Sequence, residues 1–213
     1  MKLGKEAKVK LDNDKTKLTL FQSLLDVGTA KRGGHYGGVY FDSEIGYWYS
    51  TDGFRVFGVS GDLLPGKHGK FLPKPFAEGL ELEAAPAKLH PLNIKPLIPV
   101  KKPKQVISMD IPGIVGAADE KQYTGHMTLN FENKGAFTYL GKLPDELLAP
   151  DHIHFNMFNW SHLGGYTATI SYYDPKESLL VRPMHSNKPP LECLWFSLIM
   201  PTRDPGEEIV KMV

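Results

Sequence analysis

Cysteine is almost missing from this chain: Cys193 is the single one in 213 residues. No internal disulfide can form, and a reducing cytoplasm is the expected setting. Cys193 sits within Leu-Glu-Cys-Leu-Trp-Phe and reads as a small core residue rather than a reactive thiol, which needs an exposed electropositive setting. No run of 18 apolar residues occurs, so no membrane-spanning helix is expected. The basic stretch 1–10 is followed by no apolar segment, which argues against a secretory signal. An excess of either charge is also lacking. Lys and Arg total 25 against 24 Asp and Glu, a net charge of +1. That excludes a generally basic DNA-coating protein and leaves room for a local basic patch. Missing too are a Gly-x-Ser-x-Gly elbow, a Walker loop, a dinucleotide fingerprint and a Cys pair. Enzymatic function has no positive support, and no cofactor is expected.

What the chain does have is glycine and proline, 21 and 17 residues. Together they disfavour long helices and favour many short strands. With 11 Phe and 9 Tyr the chain can bury a proper core, and a wholly disordered chain is excluded.

One amphipathic helix stands out between Lys17 and Ala30. Leu18, Phe21, Leu24, Leu25 and Gly28 keep helical spacing, and Gly33-Gly34 ends it. Strands are expected at 38–41, 47–50 and 54–59, the last after the Asp52-Gly53 turn. A second helix is expected over 74–85, with an early proline in its first turn and Phe76, Ala77, Leu80 and Ala84 on one face; Gly79 weakens it. Five prolines between Pro86 and Pro103 make an extended connector. Beyond it, strands are expected at 106–109, 127–131, 136–140, 153–155, 167–173, 179–181 and 194–200. Short helices are expected near 111–120 and over 156–163. A unit of strand, helix and strands recurs near residues 7, 70, 106 and 152. The expected fold class is α+β in two parts of similar size, 1–103 and 104–213, with an alternative boundary near 150.

Local charge clusters in two places. Residues 1–17 hold six lysines against three acids, and residues 88–104 hold Lys88, Lys95, Lys101, Lys102 and Lys104 with no acid. A solvated tail and a solvated linker account for both. His152 and His154 share one face of a strand, as a metal site would need, with His162 or His185 as a third ligand. No carboxylate at a familiar metal spacing accompanies them, and same-face histidines without a metal are the simpler reading. Gly33-Gly34-His35-Tyr36-Gly37-Gly38 is glycine-rich, but it precedes a strand and lacks a Lys-Ser/Thr ending, so it is no phosphate cradle.

Two segments carry more. One is the hairpin from Gly37 to Val56, with Ser50-Thr51-Asp52-Gly53-Phe54-Arg55-Val56 at its end. The other is the terminal Leu194-Trp195-Phe196-Ser197-Leu198-Ile199-Met200-Pro201-Thr202-Arg203. Together they resemble the bacterial DNA sliding clamp, the ring-shaped processivity subunit of the replicative polymerase (polymerase III beta type). That family carries an Ala-Thr-Asp-Gly-His-Arg-Leu hairpin in its middle domain and ends in an apolar strand and Met-Pro-Met-Arg. Phe71-Leu72-Pro73-Lys74 resembles the strand and Pro-Arg/Lys that open a domain's second helix there. Ile153-His154-Phe155-Asn156 resembles its Ile-Gly-Phe-Asn helix start. The matches keep the family's order and cover about half of the chain.

The resemblance implies the DNA-clamp fold, antiparallel sheets outside and a few short helices inside, in two clamp-like domains. It implies a hydrophobic pocket for short linear peptides of DNA polymerase and clamp loader. Carried over, that pocket involves Tyr36, Thr51, Gly53, Arg55, Val56, Leu198, Met200, Pro201 and Arg203. Phe54 departs from the family's His, and Thr202 from its Met. Double-stranded DNA is encircled without base reading, through phosphate contacts for which Lys31, Arg32 and Lys74 are the candidates. Bacterial clamps have three domains per chain and close as dimers, and clamp rings in general contain six domains. Two domains per chain imply a homotrimer, and three units per chain a tetramer. The reduced size suits a phage or mobile element as the source. Two other readings stay open: a clamp-like decoy that binds replication proteins without encircling DNA, and a small metal-dependent β-barrel enzyme using His152 and His154.

Overall fold

A computed structural model describes residues 8–10, 14–29, 37–76, 79–85, 93–113, 115, 125–130, 135–140, 152–174, 177–184, 186 and 188–200. The chain forms two units. One comprises Met1–Ile98 with Asn187–Ser197, the other Pro99–Ser186 with Leu198–Val213. Each is built mainly from antiparallel strands, with few helices, as the α+β reading expects. No described helix is long and apolar enough to cross a membrane.

In the first unit, helix α1 (Lys15–Gly28) starts where Asp14 accepts hydrogen bonds from the Thr16 and Lys17 amides at 2.9 and 3.2 Å. A carboxylate at this position satisfies amides that have no partner inside the helix. The buried stripe of α1 is Leu20, Phe21, Leu24 and Val27, with Leu18 and Leu25 at its margins. Strands β1 (Lys8–Lys10), β2 (Val39–Asp42), β3 (Tyr47–Thr51), β4 (Arg55–Ser60), β5 (Gly69–Phe76) and β6 (Gly79–Ala84) pair in the order β1-β6-β5-β2-β3-β4. Trp48 centres the core: it is fully buried, with Phe21 at 5.8 Å edge-on and Phe41 and Phe71 each at 5.0 Å. Its indole N–H donates to the Leu64 carbonyl at 2.6 Å, so the one polar atom of the side chain is satisfied.

The helix expected over 74–85 is instead the hairpin β5–β6, and Lys74 lies in a strand. The alternation Leu80-Glu81-Leu82-Glu83 has a period of two, and Leu82 is fully buried. The prolines decide the rest. β5 pairs with β2 only over residues 69–71, while it pairs with β6 as far as residue 76. The Lys70 carbonyl accepts from Ala85, so even-numbered residues of β5 turn their backbone groups toward β6. Pro73 and Pro75 therefore direct their missing N–H groups to the side where β2 has ended, and no ladder bond is lost.

Residues 195–197 of β13 (Trp195–Ile199) follow β4 in this unit. The Val56 carbonyl accepts from Ser197 Oγ at 2.9 Å, and the Ser60 amide donates to the Leu194 carbonyl. Cys193 is buried, as its apolar context implies. Phe196 fills the space that Gly58 leaves: a Cβ on Gly58 would stand 2.5 Å from its ring, and Tyr47 closes the other side at 5.5 Å. Gly58→Ala is therefore expected to cost about 1–3 kcal/mol by overpacking. In urea it should lower the midpoint of the transition without changing its slope.

The second unit holds β7 (Gln105–Asp110), β11 (Thr167–Tyr172) and β12 (Leu179–Pro183) in the order β12-β11-β7. A three-stranded sheet orders β10 (His152–Asn156), β8 (Gly125–Asn130) and β9 (Gly135–Leu140) with β8 in the centre. The expected helix over 156–163 is a 3-10 helix, Met157–Leu163, capped by Asn156, whose Oδ1 accepts from the Phe158 amide at 2.9 Å. The helix buries Trp160 and Leu163 completely. Of the recurring units, the one near residue 7 is seen as β1-α1-β2-β3-β4, and the one near 152 as β10, the 3-10 helix and β11-β12-β13. The one near 70 has two strands and no helix among the described residues. Most of the helix expected near 111–120 lies outside them.

Candidate partner-binding site

The sharpest construction in the chain is the turn from β3 to β4. Gly53 takes φ +91°, a left-handed conformation that glycine adopts without a Cβ clash. Thr51 Oγ1 donates to the Arg55 carbonyl at 2.8 Å and accepts from the Gly53 amide at 3.1 Å. Asp52 Oδ1 accepts from the amides of Phe54 and Arg55 at 3.0 and 3.1 Å. Asp52 Oδ2 accepts from Arg55 Nε at 2.9 Å, an ion pair whose side chains are 0% and 1% exposed. The Asp52 carboxylate thus meets two amides and a guanidinium, as a buried charge must. Val56 follows in β4 and is buried.

Of the residues the sequence points to, Thr51, Gly53 and Arg55 share this one network and Val56 adjoins it. Leu198 is buried in β13, whereas Met200, just past the strand, is 40% exposed. Ser178 Oγ lies 2.8 Å from the Met200 sulfur. Leu198, Met200 and Ser178 belong to the second unit. Tyr36, Pro201, Arg203, Lys31 and Arg32 lie outside the described residues.

Three neighbours escaped the sequence reading. Asp52 stands in the motif but registers there as a turn former. Ser197 and Ser178 carry no signal, because a hydroxyl that meets a carbonyl or a sulfur across the fold leaves no spacing pattern.

The connector lysines are partly engaged. Lys101 and Lys104 bond Glu177 and Asp174 at 2.8 and 3.1 Å, and Lys95 bonds Glu44 at 3.4 Å. The pairs with Glu177 and Asp174 tie the connector to the segment between β11 and β12. As exposed pairs they add little stability.

His152 and His154 fall on one face of β10, opposite Asn130 and Thr128 of β8. Of the suggested third ligands, His162 is buried in the 3-10 helix and His185 lies outside the described residues. Among the described residues no group of three or more metal-ligating side chains comes together.

Two buried phenols flank the core of the first unit. Burial, and then the nearby charge of Asp42, pushes the Tyr49 hydroxyl well above the ordinary tyrosine range. Burial acts in the same direction on Tyr47, whose hydroxyl donates to the carbonyl of Cys193 and thereby holds the 190–193 segment to β3.

No protein-family model matches the sequence, and no curated protein does. Solved structures do match. The DNA polymerase sliding clamp of Bacillus subtilis superposes with a TM-score of 0.51 at 12% identity, over 93% of this chain and 64% of that one. The beta sliding clamp of C. crescentus gives 0.54 at 11% identity, over 95% and 68%. The Helicobacter pylori beta clamp, solved bound to a DNA ligase peptide, gives 0.51 at 12% identity, again over 95% and 68%. The chain spans about two thirds of the length of the clamps it matches. Nearly all of it follows their path, and it has the fold of the bacterial DNA sliding clamp.

Proposed function

We propose that this chain is a sliding clamp, a processivity factor that encircles duplex DNA as a ring and tethers a DNA polymerase through a peptide-binding pocket. The observation that carries the reading is the pattern of coverage. The clamp fold extends over 93–95% of this chain while the chain accounts for only 64–68% of the clamps it matches. That is the proportion expected of two clamp-like domains where those clamps have three. The domains proposed are 1–103 and 104–213. With six domains to a ring, three chains close it head to tail.

The protein is then a scaffold rather than a catalyst. Lys31 and Arg32, just after α1, would meet phosphates without reading bases. Lys74 is the weaker candidate, since it stands on a strand. The residues proposed for peptide binding are Tyr36, Thr51, Gly53, Arg55, Val56, Leu198, Met200, Pro201 and Arg203. The pocket would receive short peptides of the polymerase and clamp loader by apolar anchors inside a polar rim.

Multi-angle light scattering over a range of concentrations tests the ring. A stable mass of three times the 23.8 kDa chain is expected. A mass of four chains would mean three structural units per chain instead of four. A monomer at all concentrations, with no assembly on DNA, would overturn the ring and favour a clamp-like binder of replication proteins.

A further inference from the structure

One cation of the first unit is recessed and lacks an acceptor. Lys70 of β5 is 8% exposed, whereas Lys101, Lys102 and Lys104 of the connector are exposed. Across the sheet it faces Tyr40 of β2, and on the β6 side its carbonyl meets the amide of Ala85. Neither neighbouring strand sets an acid directly opposite it. Asp42, the one acid of β2, lies two positions from Tyr40 on the same face. Its carboxylate accepts from the Glu44 amide at 2.8 Å and stands 3.6 Å from His68 Nδ1. Among the described residues the Lys70 ammonium makes no hydrogen bond or ion pair. It stands 5.4 Å from the centre of the Tyr40 ring, which stacks in turn on Tyr49.

A recessed ammonium gives up water, and the face of a phenol replaces only part of that loss. An anionic oxygen would supply the rest. The site is also shaped. Gly38 takes φ +116°, and a Cβ there would stand 2.9 Å from Lys70 Cε and 3.4 Å from Leu72 Cδ2. Lys70 and Leu72 thus line one small space on the same face of β5, and Leu72 is 45% exposed. A cation beside an exposed apolar side chain complements an acid beside an apolar residue. The depth of Lys70 suits a carboxylate carried on a side-chain stem rather than a phosphate in a duplex backbone. Asp42 on the same face disfavours a second negative charge.

We propose that Lys70 and Leu72 form a binding site for an acidic segment of a protein partner. Lys70 takes the carboxylate of a Glu or Asp side chain, and Leu72 takes the apolar residue next to it. None of the residues proposed for peptide binding takes part.

NMR of the isotope-labelled full chain reads the Lys70 Cε and Leu72 methyl signals, assigned with Lys70→Arg and Leu72→Ala. The probes are sodium acetate, sodium phosphate and the capped tripeptides Leu-Glu-Leu and Leu-Gln-Leu, with chloride holding ionic strength constant. Acetate is expected to shift Lys70 saturably, half-way at about 10–100 mM, the range of one charge-assisted hydrogen bond. The exposed Lys102 should not saturate. Leu-Glu-Leu should shift Lys70 and Leu72 together, at a concentration at least about threefold below acetate, through the added apolar contact. Leu-Gln-Leu should bind at least about tenfold more weakly than Leu-Glu-Leu, and Lys70→Met should erase that difference. The comparison of Glu with Gln on the wild-type chain decides the charge contact even if Lys70→Met fails to fold. A Lys70 response no different from that of Lys102, or equal binding of the two tripeptides, would overturn the site. Half-saturation by phosphate below acetate would overturn the carboxylate preference. Leu-Glu-Leu no tighter than acetate would overturn the role of Leu72 and with it the protein partner.

Discussion

Arg55→Ala lowers the unfolding free energy by about 3–5 kcal/mol, because it leaves the Asp52 carboxylate buried without its partner. Both side chains are essentially inaccessible, so water cannot replace the guanidinium. Asp52→Ala is expected to cost at least as much, since Asp52 also accepts from the Phe54 and Arg55 amides, which would then be buried or half-buried without an acceptor. The double variant should lose less than the sum of the two, because either change alone removes the same ion pair. Thermal unfolding of the three variants checks this. A loss below about 1 kcal/mol in Arg55→Ala is the scale of an exposed pair and would place Arg55 at the surface.

Much of the first unit was legible because its signals are local. The helical spacing through Phe21 and Leu24 and the Asp52-Gly53 turn each act within a few residues, whereas the Asp14 cap, which starts the helix two residues before the expected Lys17, was not read. The 156–163 helix was legible for the same reason, since Asn156 caps it from the adjacent position. The hairpin β5–β6 was misread because early prolines and Ala-Leu spacing suit a first helical turn equally well. Only the extent of β2, which ends opposite residue 71, shows why prolines at 73 and 75 cost nothing in a strand. That is a fact of pairing and is invisible in a linear sequence. The candidate site divides likewise. That Thr51, Gly53 and Arg55 stand in one turn follows from their adjacent positions, but their depth does not. A charged residue in a turn is exposed by default, and Arg55 departs from the default with the Asp52 carboxylate buried beside it.

Leu198 and Met200 are two further residues proposed for peptide binding, and they can be tested by themselves. They lie two positions apart, which in a regular strand would give them equal burial. β13 ends at Ile199, however, and their exposures are 2% and 40%. Leu198→Asp is expected to cost about 3–5 kcal/mol by placing an unpaired carboxylate in the core. The loss should shrink as pH falls, because a protonated carboxyl avoids most of the desolvation. Met200→Asp should stay within about 0.5 kcal/mol of the wild type, as exposed substitutions do, while Ser178 Oγ gains a carboxylate in place of a sulfur. If Met200 is part of the pocket, the same change should weaken a fluorescein-labelled clamp-binding peptide, such as the DNA ligase peptide of the Helicobacter pylori complex, by more than about tenfold, since a charge then faces an apolar anchor. Urea unfolding and peptide anisotropy on the two variants give four readings. A folded Met200→Asp chain with unchanged peptide affinity would remove Met200 from the site. A destabilised one would make it a structural residue.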